Sequence, residues 1–151
     1  MSELRELYEE VILDHNRNPR NYPKKPVDTN FTAHGFNPLC GDEFNVHLLV
    51  KDDVIQDVGF EGAGCAISTA SASLMTEAIK GKSIEEAEAL FAQVHELLTD
   101  ESHREVTFDL LGKLKVLTGV KEFPMRVKCA TLAWHTMHAA LNKETDMVST
   151  E

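Results

Sequence analysis

The sequence lacks any long apolar run and any excess of basic residues. No stretch approaches the ~20 apolar residues that a membrane helix requires, so we expect no membrane span. Lys and Arg number 15 against 25 Asp and Glu, which gives a formal net charge of −10. Because a phosphate backbone attracts basic surfaces, this balance argues against a nucleic-acid partner. An acidic surface mainly confers solubility, and steering toward a basic protein partner is the alternative.

Cysteine is also scarce, and its odd count argues against a disulfide framework, since pairing three cysteines would leave one over. The N-terminal residues 1–13 are acidic and amphipathic, unlike a signal or transit peptide, so we expect a cytoplasmic location. In that reducing compartment, cysteines more often serve as ligands or reactive thiols than as structural bridges.

The common catalytic motifs are missing as well. There is no G-x-S-x-G, P-loop or G-x-G-x-x-G pattern. The paired acids Asp52-Asp53 and Glu85-Glu86 are typical of a turn and a helix start, so they do not indicate a general acid/base pair. The cysteines therefore carry the strongest chemical information in the chain.

Length and apolar periodicity predict one α+β domain over residues 1–151, with a frayed tail from about residue 143. Alternating apolar residues predict strands at 31–35, 44–50 and 54–60, with a hairpin turn at 51–53. Helical spacing predicts helices near 3–15, 65–81, 83–98, 110–117 and 124–142. We expect a small antiparallel three-stranded sheet packed against about five to six helices.

Three cysteines and one aspartate could form a metal site. Cys40 and Asp42 share a loop, Cys65 opens a helix, and Cys129 lies near the start of the last helix. Three thiolates and a carboxylate complete the tetrahedral shell that zinc prefers. Arg126 could place a cation near a sulfur, although a solvated arginine at a helix start is equally consistent. The cysteines could instead be small buried apolar residues, since no C-x-x-C pair is present.

The seven histidines are scattered along the chain, and none adjoins a cysteine. His135 and His138 lie one turn apart on the last predicted helix and could bind a metal. Partly exposed helix positions explain them more simply.

Six separated segments resemble the IscU/NifU-like iron–sulfur assembly family, and the resemblance extends to about residue 142. They are Leu7-Tyr8, Asp14-His15, Asn18-Pro19-Arg20-Asn21, Asn37-Pro38-Leu39-Cys40-Gly41-Asp42, Gly64-Cys65-Ala66-Ile67-Ser68 and the run from Arg126 to Trp134. Within the family the chain resembles the SufU branch. Lys128 stands where scaffold members carry a histidine, residues 123–128 depart from their Leu-Pro-Pro-Val-Lys segment, and residues 97–120 resemble the SufU insertion.

The resemblance implies a SufE/IscU-like fold and a zinc-dependent sulfur acceptor that works with a SufS-type cysteine desulfurase. It implies zinc held by Cys40, Asp42, Cys65 and Cys129, with Cys40 as the acceptor, and sulfur delivered toward downstream iron–sulfur assembly proteins. Three alternatives remain open: a scaffold that carries an iron–sulfur cluster on the same cysteines, a non-catalytic zinc-stabilised interaction domain, and a zinc hydrolase. The hydrolase is the least favoured, because a shell of four protein ligands leaves no position for water.

Overall fold

The computed structural model describes residues 2–38, 41–99, 117, 124–142 and 148–149. Its elements are α1 (Ser2–Arg17), β1 (Phe31–Asn37), β2 (Asp42–Lys51), β3 (Val54–Ala63), α2 (Ala66–Ile79), α3 (Ile84–Thr99), α4 (Pro124–Leu141) and β4 (Val148–Ser149). The predicted α+β class is confirmed. The described residues contain four helices, fewer than the expected five to six. The helix predicted at 110–117 lies outside the described residues except for Leu117.

The sheet has the strand order β3-β2-β1-β4. Its first three strands are antiparallel, as expected, and β2 meets β3 at a turn where Asp52 and Asp53 both have positive φ angles, 53° and 62°. That backbone matches the twist of a tight hairpin, and aspartate tolerates it better than most residues. The fourth strand pairs parallel to β1, with Val148 opposite Gly35. Strand β4 is only two residues long, which is too short to show alternation, so the sequence did not predict it.

The alternation of buried and exposed residues predicted for β3 is wrong at the start of the strand. The expected pattern placed Val54 on the same face as Val58 and Phe60, but Ile55 is the fully buried residue there. The pairing shifts between Leu49 and Val50, so that Asp57 faces Leu49 while Ile55 faces Val50. One extra residue in β3 at this bulge reverses the face of everything that precedes it.

Helices α2 and α4 cover the inner face of the sheet and pack against each other. Helix α4 approaches β1 so closely that a Cβ on Gly35 would lie 1.9 Å from the Thr136 hydroxyl oxygen, which excludes a larger residue. The largest fully buried side chains include Trp134, Phe44, Phe60, Leu48, Ile55, Leu74, Met75, Ile79, Leu98, Leu117, Leu132 and Met137.

The start of α3 and the outer edge of β3 are both capped. The sequence Ser83-Ile84-Glu85-Glu86 forms a capping box: Ser83 N donates to Glu86 Oε1, and Glu86 N donates to Ser83 Oγ, each at 3.0 Å. Along β3, Phe60 N donates to Asn21 O and Lys24 N donates to Phe60 O. These bonds pair an edge that would otherwise present open backbone groups.

Among the described helices, none is long and apolar enough to cross a bilayer.

Candidate metal centre

Three of the four residues expected to bind metal meet at one end of the sheet. Asp42 is the first residue of β2, Cys65 immediately precedes α2, and Cys129 lies in the second turn of α4. One carboxylate oxygen and the two sulfurs all lie within 4.8 Å of one another. Asp42 is fully buried, Cys129 is buried and Cys65 is half-buried. The fourth, Cys40, lies outside the described residues.

The buried Asp42 carboxylate is held by three donors. Cys65 N donates to Oδ1 at 2.8 Å, and the Ser68 hydroxyl donates to Oδ2 at 2.6 Å. The Asn37 amide donates to Oδ2 at 3.2 Å. Asn37 is the register partner of Asp42 across β1 and β2, so sheet pairing itself brings these two side chains together. Hydrogen bonds of this kind offset the cost of burying a carboxylate.

Cys65 occupies the N-cap position of α2. Its backbone is extended (φ −68°, ψ 171°), and its sulfur accepts from Ser68 N at 3.4 Å, as serine or aspartate oxygens do at other helix starts. The Cys65 thiol also donates to the Ser68 hydroxyl oxygen at 3.4 Å. A sulfur at this position faces the positive end of the helix dipole, which favours a negatively charged group.

Cys129 is brought to the same point by the packing of α4 on α2. The Ser71 hydroxyl in α2 donates to the carbonyl oxygen of Ala130 at 2.5 Å, which fixes the two helices next to the cysteine. The Asn37 amide donates to Cys129 Sγ at 3.5 Å. Asn37 therefore touches both the carboxylate and one of the sulfurs.

Gly64 allows the chain to pass close to the carboxylate. A Cβ at this position would lie 2.9 Å from Asp42 Oδ1 and 2.9 Å from Phe44 Cζ, both shorter than ordinary contacts. Gly64 itself is exposed, as are Gly41, Ala63 and Ala66. The half-buried Cys65 is therefore flanked in the sequence by small, exposed residues.

The donor set fits a zinc ion. Around a tetrahedral zinc with bonds of about 2.0–2.3 Å, ligand atoms are about 3.5–3.8 Å apart. Donors within 4.8 Å of one another need to approach by about 1.3 Å at most. Two sulfurs with one carboxylate oxygen are typical of zinc and untypical of magnesium or calcium, which prefer oxygen shells.

The other candidate residues from the sequence are Arg126 and the histidines. Arg126 is exposed in the first turn of α4, on the same helix as Cys129. Within the described part of the chain, no histidine joins a group of three potential ligands. His138 Nδ1 instead pairs with Glu88 Oε2 at 2.7 Å. Burial lowers the pKa of His135, and the neighbouring His95 and His138 lower it further.

Sequence reasoning missed Asn37 and Ser68. Asn37 precedes a proline and Ser68 follows Cys65 by three residues, which is the spacing of a helix-capping pair. That spacing was the available indication for Ser68. Asn37 became visible only through the register of β1 with β2.

The chain matches a known protein family over most of its length. The family model described as "NifU-like N terminal domain" matches residues 7–130. The chain belongs to this family. The resemblance stated from the sequence is thereby confirmed.

Members of the NifU-like family with different names match the chain equally well. The zinc-dependent sulfurtransferase SufU of Bacillus subtilis is 41% identical over 138 residues, covering 91% of this chain and 91% of the relative. The iron–sulfur cluster assembly scaffold protein IscU of Thermotoga maritima is 41% identical over 140 residues, covering 91% and 94%. A crystal structure of a proposed SUF-system scaffold protein from Fervidobacterium islandicum AW-1 superposes with a TM-score of 0.80 and 36% identity, covering 91% of this chain and 98% of that one.

Proposed function

We propose that this chain is a zinc-dependent sulfurtransferase that accepts persulfide sulfur from a SufS-type cysteine desulfurase for iron–sulfur cluster assembly. The observation that carries the proposal is the convergence of one Asp42 oxygen and the Cys65 and Cys129 sulfurs within 4.8 Å of one another, with Cys65 half-buried. The SufU relative, which is named for the same activity and matches along 91% of the chain, supports it.

We assign the metal to Cys40, Asp42, Cys65 and Cys129. Zinc bound by cysteine keeps the coordinated thiols deprotonated at neutral pH, so a nucleophile is available without a general base. Gly41, which separates Cys40 from Asp42 in the sequence, has a φ of +71°, a backbone conformation that favours glycine. The loop that carries Cys40 also begins next to Asn37, whose carbonyl oxygen accepts from Gly41 N at 2.8 Å.

In the proposed transfer, the Cys40 thiolate attacks the outer sulfur of the desulfurase persulfide. A new sulfur–sulfur bond forms on Cys40, the sulfur–sulfur bond of the donor breaks, and its electron pair leaves on the donor cysteine as a thiolate. The transferred sulfur carries its proton or releases it to water. Asp42, Cys65 and Cys129 keep their positions during the step, and Arg126 is proposed as a cation that stabilises the new persulfide anion.

The test is sulfur transfer to the purified chain. After incubation with a cysteine desulfurase, its pyridoxal cofactor and cysteine, mass spectrometry should find one added sulfur atom, located to the peptide that contains Cys40. The chain should also raise desulfurase turnover several-fold, because it removes the enzyme-bound persulfide. An unmodified chain, together with unchanged turnover at low and high salt, would reject the proposal.

The scaffold function is the second candidate, and the IscU relative that is 41% identical over 140 residues favours it. A scaffold would assemble a cluster on the same cysteines. Anaerobic reconstitution with iron and sulfide separates the two functions: a stable, stoichiometric visible chromophore supports the scaffold, and a colourless protein that retains tightly bound zinc supports the sulfurtransferase.

A further inference from the structure

Two polar side chains connect all three described metal donors, and neither is itself expected to bind the metal. Ser68 bonds the Asp42 carboxylate through its hydroxyl at 2.6 Å, and its hydroxyl and backbone N each lie 3.4 Å from the Cys65 sulfur. Asn37 bonds the same carboxylate oxygen at 3.2 Å and the Cys129 sulfur at 3.5 Å. The two side chains thus link the Asp42 carboxylate, the Cys65 sulfur and the Cys129 sulfur.

Both side chains are fully buried, as is Asp42 between them. A buried hydroxyl or amide without a partner costs about 1–3 kcal/mol, so such groups persist where their bonds are satisfied. The Asp42 carboxylate and the Cys65 and Cys129 sulfurs are among the partners that satisfy these groups. The two residues also come from different elements, Asn37 from the end of β1 and Ser68 from the first turn of α2.

We propose that Asn37 and Ser68 are positioning residues that hold the Asp42 carboxylate and the two sulfurs in a common arrangement before the metal binds. This rests on the metal assignment made under the proposed function and extends it to residues that do not bind the ion. Outer partners that orient metal ligands raise affinity typically 10–100-fold, because the ligands lose less freedom on binding.

The division of work between the two follows from their contacts. Ser68 orients the Asp42 carboxylate relative to Cys65. Cys65 is the N-cap of α2, and Ser68 lies in the first turn of the same helix. Asn37 orients the carboxylate relative to Cys129 and so fixes the distance between the sheet and α4. Loss of Ser68 should therefore disturb the Asp42–Cys65 geometry, while loss of Asn37 should disturb the position of Cys129.

The experiment compares metal binding by the whole chain and by Ser68→Ala, Asn37→Ala and Ser68→Thr. Zinc affinity is measured by competition with a chromophoric chelator, and Co²⁺ is used as the spectroscopic probe of ligand geometry. We expect Ser68→Ala and Asn37→Ala each to weaken zinc affinity about 10–100-fold and to shift the Co²⁺ visible bands. Ser68→Thr keeps the hydroxyl and should restore most of the affinity.

Ser73→Ala is the matched control. Ser73 is also a buried α2 serine with hydrogen bonds, but its hydroxyl contacts His15 Nδ1 at 2.7 Å and Arg20 N at 2.9 Å, away from the metal donors. It should lower the melting temperature while zinc affinity and the Co²⁺ spectrum stay unchanged.

Two results would overturn the positioning role. One is wild-type affinity with an unchanged Co²⁺ spectrum in both Ser68→Ala and Asn37→Ala. The other is an equal loss of affinity in Ser73→Ala, which would make the effect one of general stability. Sulfur acceptance is scored separately on the unmutated chain, so a chain that binds zinc but accepts no sulfur rejects the proposed function and leaves this inference intact.

Discussion

At the scale of single residues, Cys40 and Asp42 lie two positions apart in the chain but should have separable roles. Cys40→Ala removes the proposed nucleophile, so we expect it to abolish sulfur acceptance while the remaining ligands retain weakened zinc. Asp42→Ala leaves every thiol in place, so it should lower zinc affinity and transfer rate without deleting the acceptor. It also removes the acceptor of three hydrogen-bond donors, two of them buried, and should cost about 1–3 kcal/mol of stability.

The measurement for this pair is peptide mapping of the added sulfur atom, with zinc content determined on the same samples. The assignment of the acceptor is wrong if the sulfur maps to Cys65 or Cys129 in the unmutated chain. It is equally wrong if Cys40→Ala still gains the sulfur.

A second prediction concerns Gly64, because the position that a Cβ would occupy there lies against Asp42 and Phe44. Gly64→Ala places a Cβ 2.9 Å from each of them, so we expect about 1–3 kcal/mol of destabilisation together with weaker zinc binding. Gly81→Ala is the control: Gly81 has a φ of +84° and no atom within 4 Å of its Cβ position. It should cost about 1–2 kcal/mol through backbone strain and leave zinc affinity unchanged. Thermal melting and chelator competition on both variants measure the difference.

At the scale of elements, the sequence predicts those parts whose pattern is local. The alternation of β2, the aspartate turn after it, the capping box at Ser83 and the start of α4 at Pro124 all follow from residues a few positions apart. The bulge that buries Ile55 and the pairing of β4 with β1 depend on a partner strand. No local pattern encodes either of them.

The same distinction separates the site residues that the sequence indicates from those it does not. Cys65 and Cys129 are rare residues whose chemistry stands out in any sequence, and Asp42 stands two positions from a third cysteine. Asn37 and Ser68 are common residue types, and their importance comes from contacts across the fold. Candidate metal ligands can therefore be proposed from the sequence, whereas the residues that form hydrogen bonds to them become visible only through the contacts of the fold.

The contact of α3 with α4 leads us to expect that the stability of the fold depends on pH. Burial lowers the pKa of His135 below its ordinary value of 6.5, and the nearby His95 and His138 add to the shift. The unfolded chain therefore takes up this proton at a higher pH than the folded chain does. The stability involved is complete above about pH 6.5 and is lost as the pH falls from there toward the folded pKa.

We expect His135→Gln to flatten the fall in melting temperature below pH 6.5, since glutamine takes up no proton. His95→Gln removes a neighbouring charge but not the burial, which is the largest cause, so it should flatten the curve less. Melting curves of the metal-depleted variants across this range are the measurement, which avoids competition between protons and zinc. A slope in His135→Gln equal to that of the unmutated chain would contradict the role of His135.

At the scale of the whole molecule, the proposed metal donors join parts of the chain that are distant in sequence. Asp42 begins the second strand, Cys65 precedes α2 and Cys129 belongs to the last described helix. A ligand that binds only the folded state adds stability according to its concentration relative to its dissociation constant, about 4 kcal/mol at a thousandfold excess. Zinc at this site should therefore stabilise the association of the sheet with α2 and α4.

The chain also has a substantial core of its own, which includes Trp134, Phe44 and Phe60 and lies behind the site. Small zinc peptides unfold without metal because they lack such a core. We therefore expect chelation to lower the melting temperature clearly while leaving a folded, cooperatively melting chain. Calorimetry before and after verified zinc removal measures the shift, and the Asp42→Ala variant should show a smaller one because it holds the metal less tightly. An unchanged melting temperature after complete removal would mean that zinc does not bind preferentially to the folded chain, and it would reject the proposed site.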